Sequence, residues 1–159
     1  MRNALILFAF LLGSLMSGLA QKNMLPEFGF QDLEGKLFAY TQLAANQPTV
    51  VVYFDPWCDH CAHQAEMLAG ADDKLKDFNI VFVTNTDPDG EASKEFYQTH
   101  FKPSELKNVF VLLDPNFYFD GYFGYSEVPS VYVFDAKKNR VAAFTKETSA
   151  EDILKKLGM

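Results

Sequence analysis

The chain carries two cysteines, and both stand in one stretch, Trp57-Cys58-Asp59-His60-Cys61. A Cys-x-x-Cys pair that follows an apolar run and opens a helical pattern is a candidate for redox chemistry. Residues three apart on a first helical turn are neighbours, at a separation a disulfide can bridge. Cys58 would stand at the helix N-terminus, where unpaired N–H groups and the helix dipole favour a thiolate. Cys61 falls on an apolar stripe with Ala62, Ala65, Leu68 and Ala69, and is expected to be the more buried thiol. That asymmetry divides the work: Cys58 attacks, and Cys61 resolves the mixed disulfide. No cofactor is implied, because the dithiol itself carries two electrons.

Other chemistries compete for the same residues. A static disulfide here would close too short a loop to add much stability. A structural zinc site normally takes four ligands, and the chain has no second Cys-x-x-Cys. Cys58, His60, Cys61 and His63 lie within six residues, however, and thiolate with imidazole suits copper or zinc. A metal chaperone is therefore the alternative function, and a non-catalytic binding module a third. His60 and Asp59 are the redox-tuning candidates, and they oppose one another. A protonated imidazole stabilises the Cys58 thiolate and the reduced form, whereas a carboxylate does the reverse. One unit charge at about 4 Å in an effective dielectric near 20 is worth around 4 kcal/mol, so either could set the direction of electron flow.

The elements that must hold this motif read as alternating strands and helices. Thr49 to Phe54 is a β-branched run without alternation, as expected of a strand buried on both faces. Ile80–Val83 and Val109–Leu113 read the same way, and Val131–Phe134 and Val141–Phe144 supply two further strands. Helical patterns begin at the cysteine motif, span Glu91 to Phe101 after the turn-like Asp87-Pro88-Asp89-Gly90, and begin again at Ser149. There Asp152 makes a near capping box, Lys155 and Lys156 suit the C-terminal dipole, and Gly158 ends the helix. Upstream, Phe28–Asp32 and Lys36–Tyr40 flank Leu33-Glu34-Gly35 as a hairpin. The last two strands form another around Lys137-Lys138-Asn139. The class is α/β with parallel pairings in the middle.

With these pieces in place, the chain resembles the thioredoxin-fold thiol–disulfide oxidoreductases of the exported TlpA/ResA type, over about Pro26 to Leu157. The resemblance is carried by Pro26-Glu27-Phe28 and Asp32-Leu33-Glu34-Gly35-Lys36 in the N-terminal hairpin, and by Tyr53-Phe54 before the Trp-Cys-x-x-Cys. Val83-Thr84-Asn85-Thr86-Asp87, Val128-Pro129-Ser130 and Phe134-Asp135-Ala136-Lys137 extend it. It implies a central mixed sheet of about five strands flanked by helices, with an N-terminal β-hairpin extension and an inserted helix. It further implies a cis Pro129 facing the cysteines, Trp57 packed beside them, and a Val128 backbone that pairs with an extended substrate segment.

The chain departs from the family pattern at three places. Asp59-His60 replaces the proline common between the cysteines, Val52 stands where thioredoxins carry a buried acid, and Glu66 stands where the helix usually has a kink proline. Proton transfer from Cys61 is then left to Asp59, to water, or to nothing specialised. Peroxidase chemistry is disfavoured, because peroxiredoxins need Thr or Ser three residues before the reactive cysteine, and Asp55 stands there. His100 reads as a surface residue. The aromatic run Phe117, Tyr118, Phe119, Tyr122, Phe123 and Tyr125 reads mostly as core, with part left as an apolar rim.

Residues 1–20 read as a secretory signal peptide: Arg2, then an unbroken apolar run from Ala4 to Leu12, then Gly18-Leu19-Ala20 as a small-x-small cleavage site. Residues 21–159 would form one thioredoxin-like domain, exported and periplasmic, with contact to a membrane only if the segment stays uncleaved. Its partners would be exported proteins bearing thiols or disulfides, together with a separate redox partner. In the whole chain of 159 residues, 48% are hydrophobic and 22% charged, which excludes disorder. A net charge of -7 argues against a nucleic-acid partner.

Overall fold

The computed structural model describes residues 23–102, 106–124 and 127–159. The expected signal segment 1–20 and Tyr125 of the aromatic run lie outside the described residues. Thirteen elements less one 3-10 turn make up the fold: β1 (Gly29–Gln31), β2 (Leu37–Ala39), β3 (Thr49–Tyr53), α1 (Asp59–Ala69), α2 (Asp72–Leu75), β4 (Asn79–Thr84), α3 (Glu91–Phe101), β5 (Val109–Leu113), α4 (Phe119–Phe123), β6 (Ser130–Phe134), β7 (Arg140–Phe144) and α5 (Ala150–Leu157). The sheet has seven strands in the order β2-β1-β5-β4-β3-β6-β7. The pairs β3–β4 and β4–β5 are parallel, and β3–β6, β6–β7, β1–β2 and β1–β5 are antiparallel.

Five strands form the expected central sheet, and the hairpin β1–β2 joins its edge through a single register pair, Gln31 with Leu113. The hairpin turn is built by Asp32, whose Oδ1 accepts the N–H groups of Glu34 and Lys36. Gly35 completes that turn at φ 78, a conformation side chains disfavour.

Strands β3 and β4 are buried at every position, as parallel central strands must be. Period-two alternation then splits the core between the faces. Val50, Val52, Phe82 and Val131 join Cys61, Ala65, Leu68, Phe96 and Ile153 under α1, α3 and α5. Val51, Tyr53, Val81 and Tyr132 join Phe28, Phe30, Phe119 and Phe123 under the hairpin and α4. The aromatic run is thus divided: Phe119 and Phe123 are core, while Phe117, Tyr118 and Tyr122 are exposed. Strand β7 alternates between half-buried and exposed residues, which is the pattern of an edge.

Helix α3 is the inserted helix, between β4 and β5. Asp87 is buried and accepts the Ser93 N–H at 2.7 Å, holding the start of the helix. Gly90 stands at φ 76, a conformation side chains disfavour, with the end of the Leu113 side chain 2.8 Å from where a Cβ would lie. At α5, Ser149 accepts the Asp152 N–H as expected, and Gly158 closes the helix at φ 74. His100 departs from the expectation of a surface residue: its ring packs on Phe96, and its Nδ1 faces Glu66 of α1 at 3.4 Å.

Candidate redox site

β3 leads directly into the cysteine motif, and Cys58 is the N-cap residue of α1 at φ -92, ψ 118. Asp55 shapes the entry. Its Oδ1 accepts the Trp57 N–H at 2.8 Å, and its carbonyl accepts the Cys58 N–H at 3.1 Å. Its own N–H donates to Cys61 Sγ at 3.5 Å. The two thiols are unequal, as the helix spacing implied. Cys58 is half-buried at the helix tip, whereas Cys61 is wholly buried in the core. Burial pushes the Cys61 thiol well up, against the opposing hydrogen bond from the Asp55 N–H. At the end of β3, on the sheet face away from α1, the Tyr53 ring stacks on Phe119 at 4.3 Å. Its phenol is pushed up to about 12 by burial first and the charge of Asp120 second.

The residues expected to line the site take distinct places. The Val128–Pro129 peptide is cis. Val128 and Pro129 share a groove of about 380 Å³ with His60, Thr145, Lys146 and Glu147. Trp57, directly before Cys58, lies at the surface. Its ring is 66% exposed and borders a separate groove with Asp87, Asp89 and Glu91 at the start of α3. Asp59 is exposed on the first turn of α1, where a carboxylate suits the helix dipole. Val52, at the place of the thioredoxin acid, is buried and apolar.

Two residues absent from the sequence expectations complete the site. Glu147, on the loop between β7 and α5, meets His60 Nδ1 at 2.6 Å and His63 Nδ1 at 2.9 Å. Hydrogen bonds from His60 and then His63 hold its carboxyl below the ordinary carboxylate range. The imidazoles that could have joined the cysteines around a metal thus turn their Nδ1 atoms to a carboxylate. Among the described residues, no group of three or more His, Cys, Asp and Glu side chains is spaced to hold a metal ion. The second residue is Gln64, wholly buried on the stripe assigned to apolar side chains. Its Nε2 donates to the Thr148 carbonyl at 3.0 Å, and its Oε1 accepts the Thr148 N–H at 2.7 Å. Its signal was legible: a glutamine at i+3 from Cys61 and i-4 from Leu68 sits on the buried side of the helix.

A family model described as thioredoxin-like matches residues 46–141, more than half of the chain, and the protein belongs to that family. The fold is shared with solved structures of low identity. One is a secreted disulfide oxidoreductase of Mycobacterium tuberculosis homologous to E. coli DsbE, at 20% identity and TM-score 0.64, covering 83% of this chain and 92% of that one. Another is a thiol:disulfide interchange protein of the thioredoxin family from Chlorobium tepidum, at 20% identity and TM-score 0.67, covering 86% and 94%. A third is an exposed lipoprotein thioredoxin of Streptococcus pneumoniae, at 19% identity and TM-score 0.64, covering 84% and 98%. Comparison with curated proteins finds no matching sequence.

Proposed function

We propose that the protein is an exported thiol–disulfide oxidoreductase of the TlpA/ResA type, exchanging disulfides with protein substrates through the Cys58–Cys61 couple. The observation that carries this reading is the inequality of the two thiols. The one at the helix tip is reachable, and the one a turn further on is buried and held as a thiol. In the reducing direction, the Cys58 thiolate attacks a substrate disulfide. One substrate sulfur leaves as a thiolate and takes up a proton, and a Cys58–substrate disulfide forms. Cys61 then loses its proton and attacks Cys58 Sγ, releasing the second substrate thiol and leaving the Cys58–Cys61 disulfide. Two electrons and two protons pass to the substrate. The oxidising direction is the reverse.

The groove beside Val128 and Pro129 would take an extended substrate segment as an added strand, pairing with the Val128 backbone. Asp59 and His60 would tune the potential, and the exposed Trp57 would contact the substrate on the other flank of Cys58. A separate redox partner would reset the couple. Export is supported by the N-terminal segment and by the secreted and surface-exposed character named for two of the similar structures.

The test is trapping. Cys61→Ser, produced through an export pathway, should accumulate mixed disulfides with other exported proteins on a non-reducing gel, and Cys58→Ser should accumulate few. Equal trapping by both variants, or none by either, would overturn the reading.

A further inference from the structure

Helix α1 turns three polar side chains, spaced i, i+3 and i+4, onto one dipeptide of the loop before α5. Gln64 grips the Thr148 backbone with two hydrogen bonds, out of water and without charge. That grip is indifferent to pH. It presents the carboxylate of the adjacent Glu147 to both imidazoles, one on each oxygen. His60 and Glu147 also line the groove that holds Val128 and Pro129, and His60 stands two residues from Cys58. The contacts are therefore built by a buried anchor, at the rim of the redox centre, from side chains of two separate elements.

We propose that Glu147 is a positioning residue for disulfide exchange, holding His60 at the groove and forming with His60 and His63 a charge triad that makes the Cys58–Cys61 potential sensitive to pH. The inference rests on the exchange reading above. Histidine changes charge between about pH 5 and 8. With both imidazoles protonated the triad carries a net charge of +1, and with both neutral a net charge of -1. The other charged groups on the elements that meet there are Asp55 ahead of α1, Asp59 and Glu66 on α1, Glu127 ahead of Val128, Arg140 on β7, Lys146 beside Glu147, and Glu151, Asp152, Lys155 and Lys156 on α5, where Glu151 pairs with Lys74. Carboxylates and ammonium groups ordinarily titrate outside the window. The third histidine, His100, is held toward α3 by Glu66. A negative triad disfavours the Cys58 thiolate and hence the reduced form, while a positive one favours it.

The experiment equilibrates the full-length exported protein with reduced and oxidised glutathione between pH 5 and 8.5. In that reaction the dithiol gives two electrons and two protons to glutathione disulfide, forming the Cys58–Cys61 bond and two glutathione thiols. Glu147→Gln keeps the shape and removes the charge. At pH 8 it should shift the equilibrium toward the reduced protein by roughly threefold, the size of one partly screened unit charge. The imidazole NMR signals of His60 and His63 should shift in this variant as their Nδ1 contacts change, and that of His100 should stay. A second variant, His60→Asn with His63→Asn, should leave a shallower pH dependence than wild type, that of the thiols alone. An unchanged equilibrium in Glu147→Gln, or unmoved His60 and His63 imidazole signals, would overturn the triad while leaving the exchange reading intact. A wild-type protein that fails to exchange with glutathione at all would bring down both.

Discussion

Helix α1 is fastened to the loop before α5 twice, and the two fastenings are opposites. Gln64 reaches Thr148 in a region without solvent, through neutral groups. One turn earlier, His60 and His63 reach Glu147 at the surface, through groups that change charge. A buried amide is valuable chiefly because its absence would strand the backbone groups it satisfies. An exposed ion pair is worth little to stability, since water competes for both partners. The two tasks are thereby separated along a single helix: the dry side holds the site in place, and the wet side is free to tune it. The cysteines obey the same division, with Cys61 on the dry side, kept neutral, and Cys58 at the tip.

The comparison breaks most visibly at Gln64. Gln64→Met keeps the volume of the side chain but leaves the Thr148 N–H and carbonyl unpaired. Two buried groups at about 1–3 kcal/mol each predict a loss near 3 kcal/mol in urea unfolding. A loss under about 1 kcal/mol would mean that water fills the gap, and the dry side would lose its meaning.

A smaller effect tests the neutrality of the core on the other face of the sheet, under the hairpin and α4. Tyr53 holds its proton up to about pH 12, through burial and then the charge of Asp120. The unfolded chain releases that proton near pH 10. Between the two the folded state binds more protons, so stability falls as the pH rises through that range. Tyr53→Phe should cost no more than about 1 kcal/mol at pH 7, where one hydrogen bond is lost. It should also decline less steeply than wild type between pH 10 and 12. Parallel declines in alkaline urea melts would remove Tyr53 from the account.

What the sequence made legible follows from the same physics. β3 and β5 were readable because parallel central strands are apolar on both faces, and Cys58 and Cys61 because their spacing has few other uses. Helix α4 was not readable. Its five residues are short of a recognisable helical pattern; Asp114, four and five residues ahead, accepts the Tyr118 and Phe119 N–H groups, and Phe119 stacks on Tyr53, a contact distant in sequence. Gln64 was passed over because apolar periodicity assigns a buried polar residue no place, although its position on the stripe marked it. Glu147 carried no local signal at all. It lies 87 residues from His60, and only the return of the chain through β6 and β7 brings the two together.

The smallest effect concerns the exposed fastening itself, and its sign is the instructive part. His60 and His63 hold the Glu147 carboxyl below its ordinary range. A carboxyl lowered by folding contributes stability that is present above its unfolded pKa, near 4.3, and is lost as the pH falls through the lower folded value. Glu147→Gln should therefore melt slightly below wild type at pH 6, by about a degree or two, as an exposed pair allows. The difference should shrink as the pH falls below about 4, where the wild-type carboxylate also takes up its proton. Raising the salt to about 0.5 M should shrink it as well, because screening reaches surface charges but leaves the Gln64 bonds untouched. A Glu147→Gln deficit as large as that of Gln64→Met, or one that persists in acid and in salt, would show that the surface contact is structural. The division between the dry and the wet side of α1 would then fail.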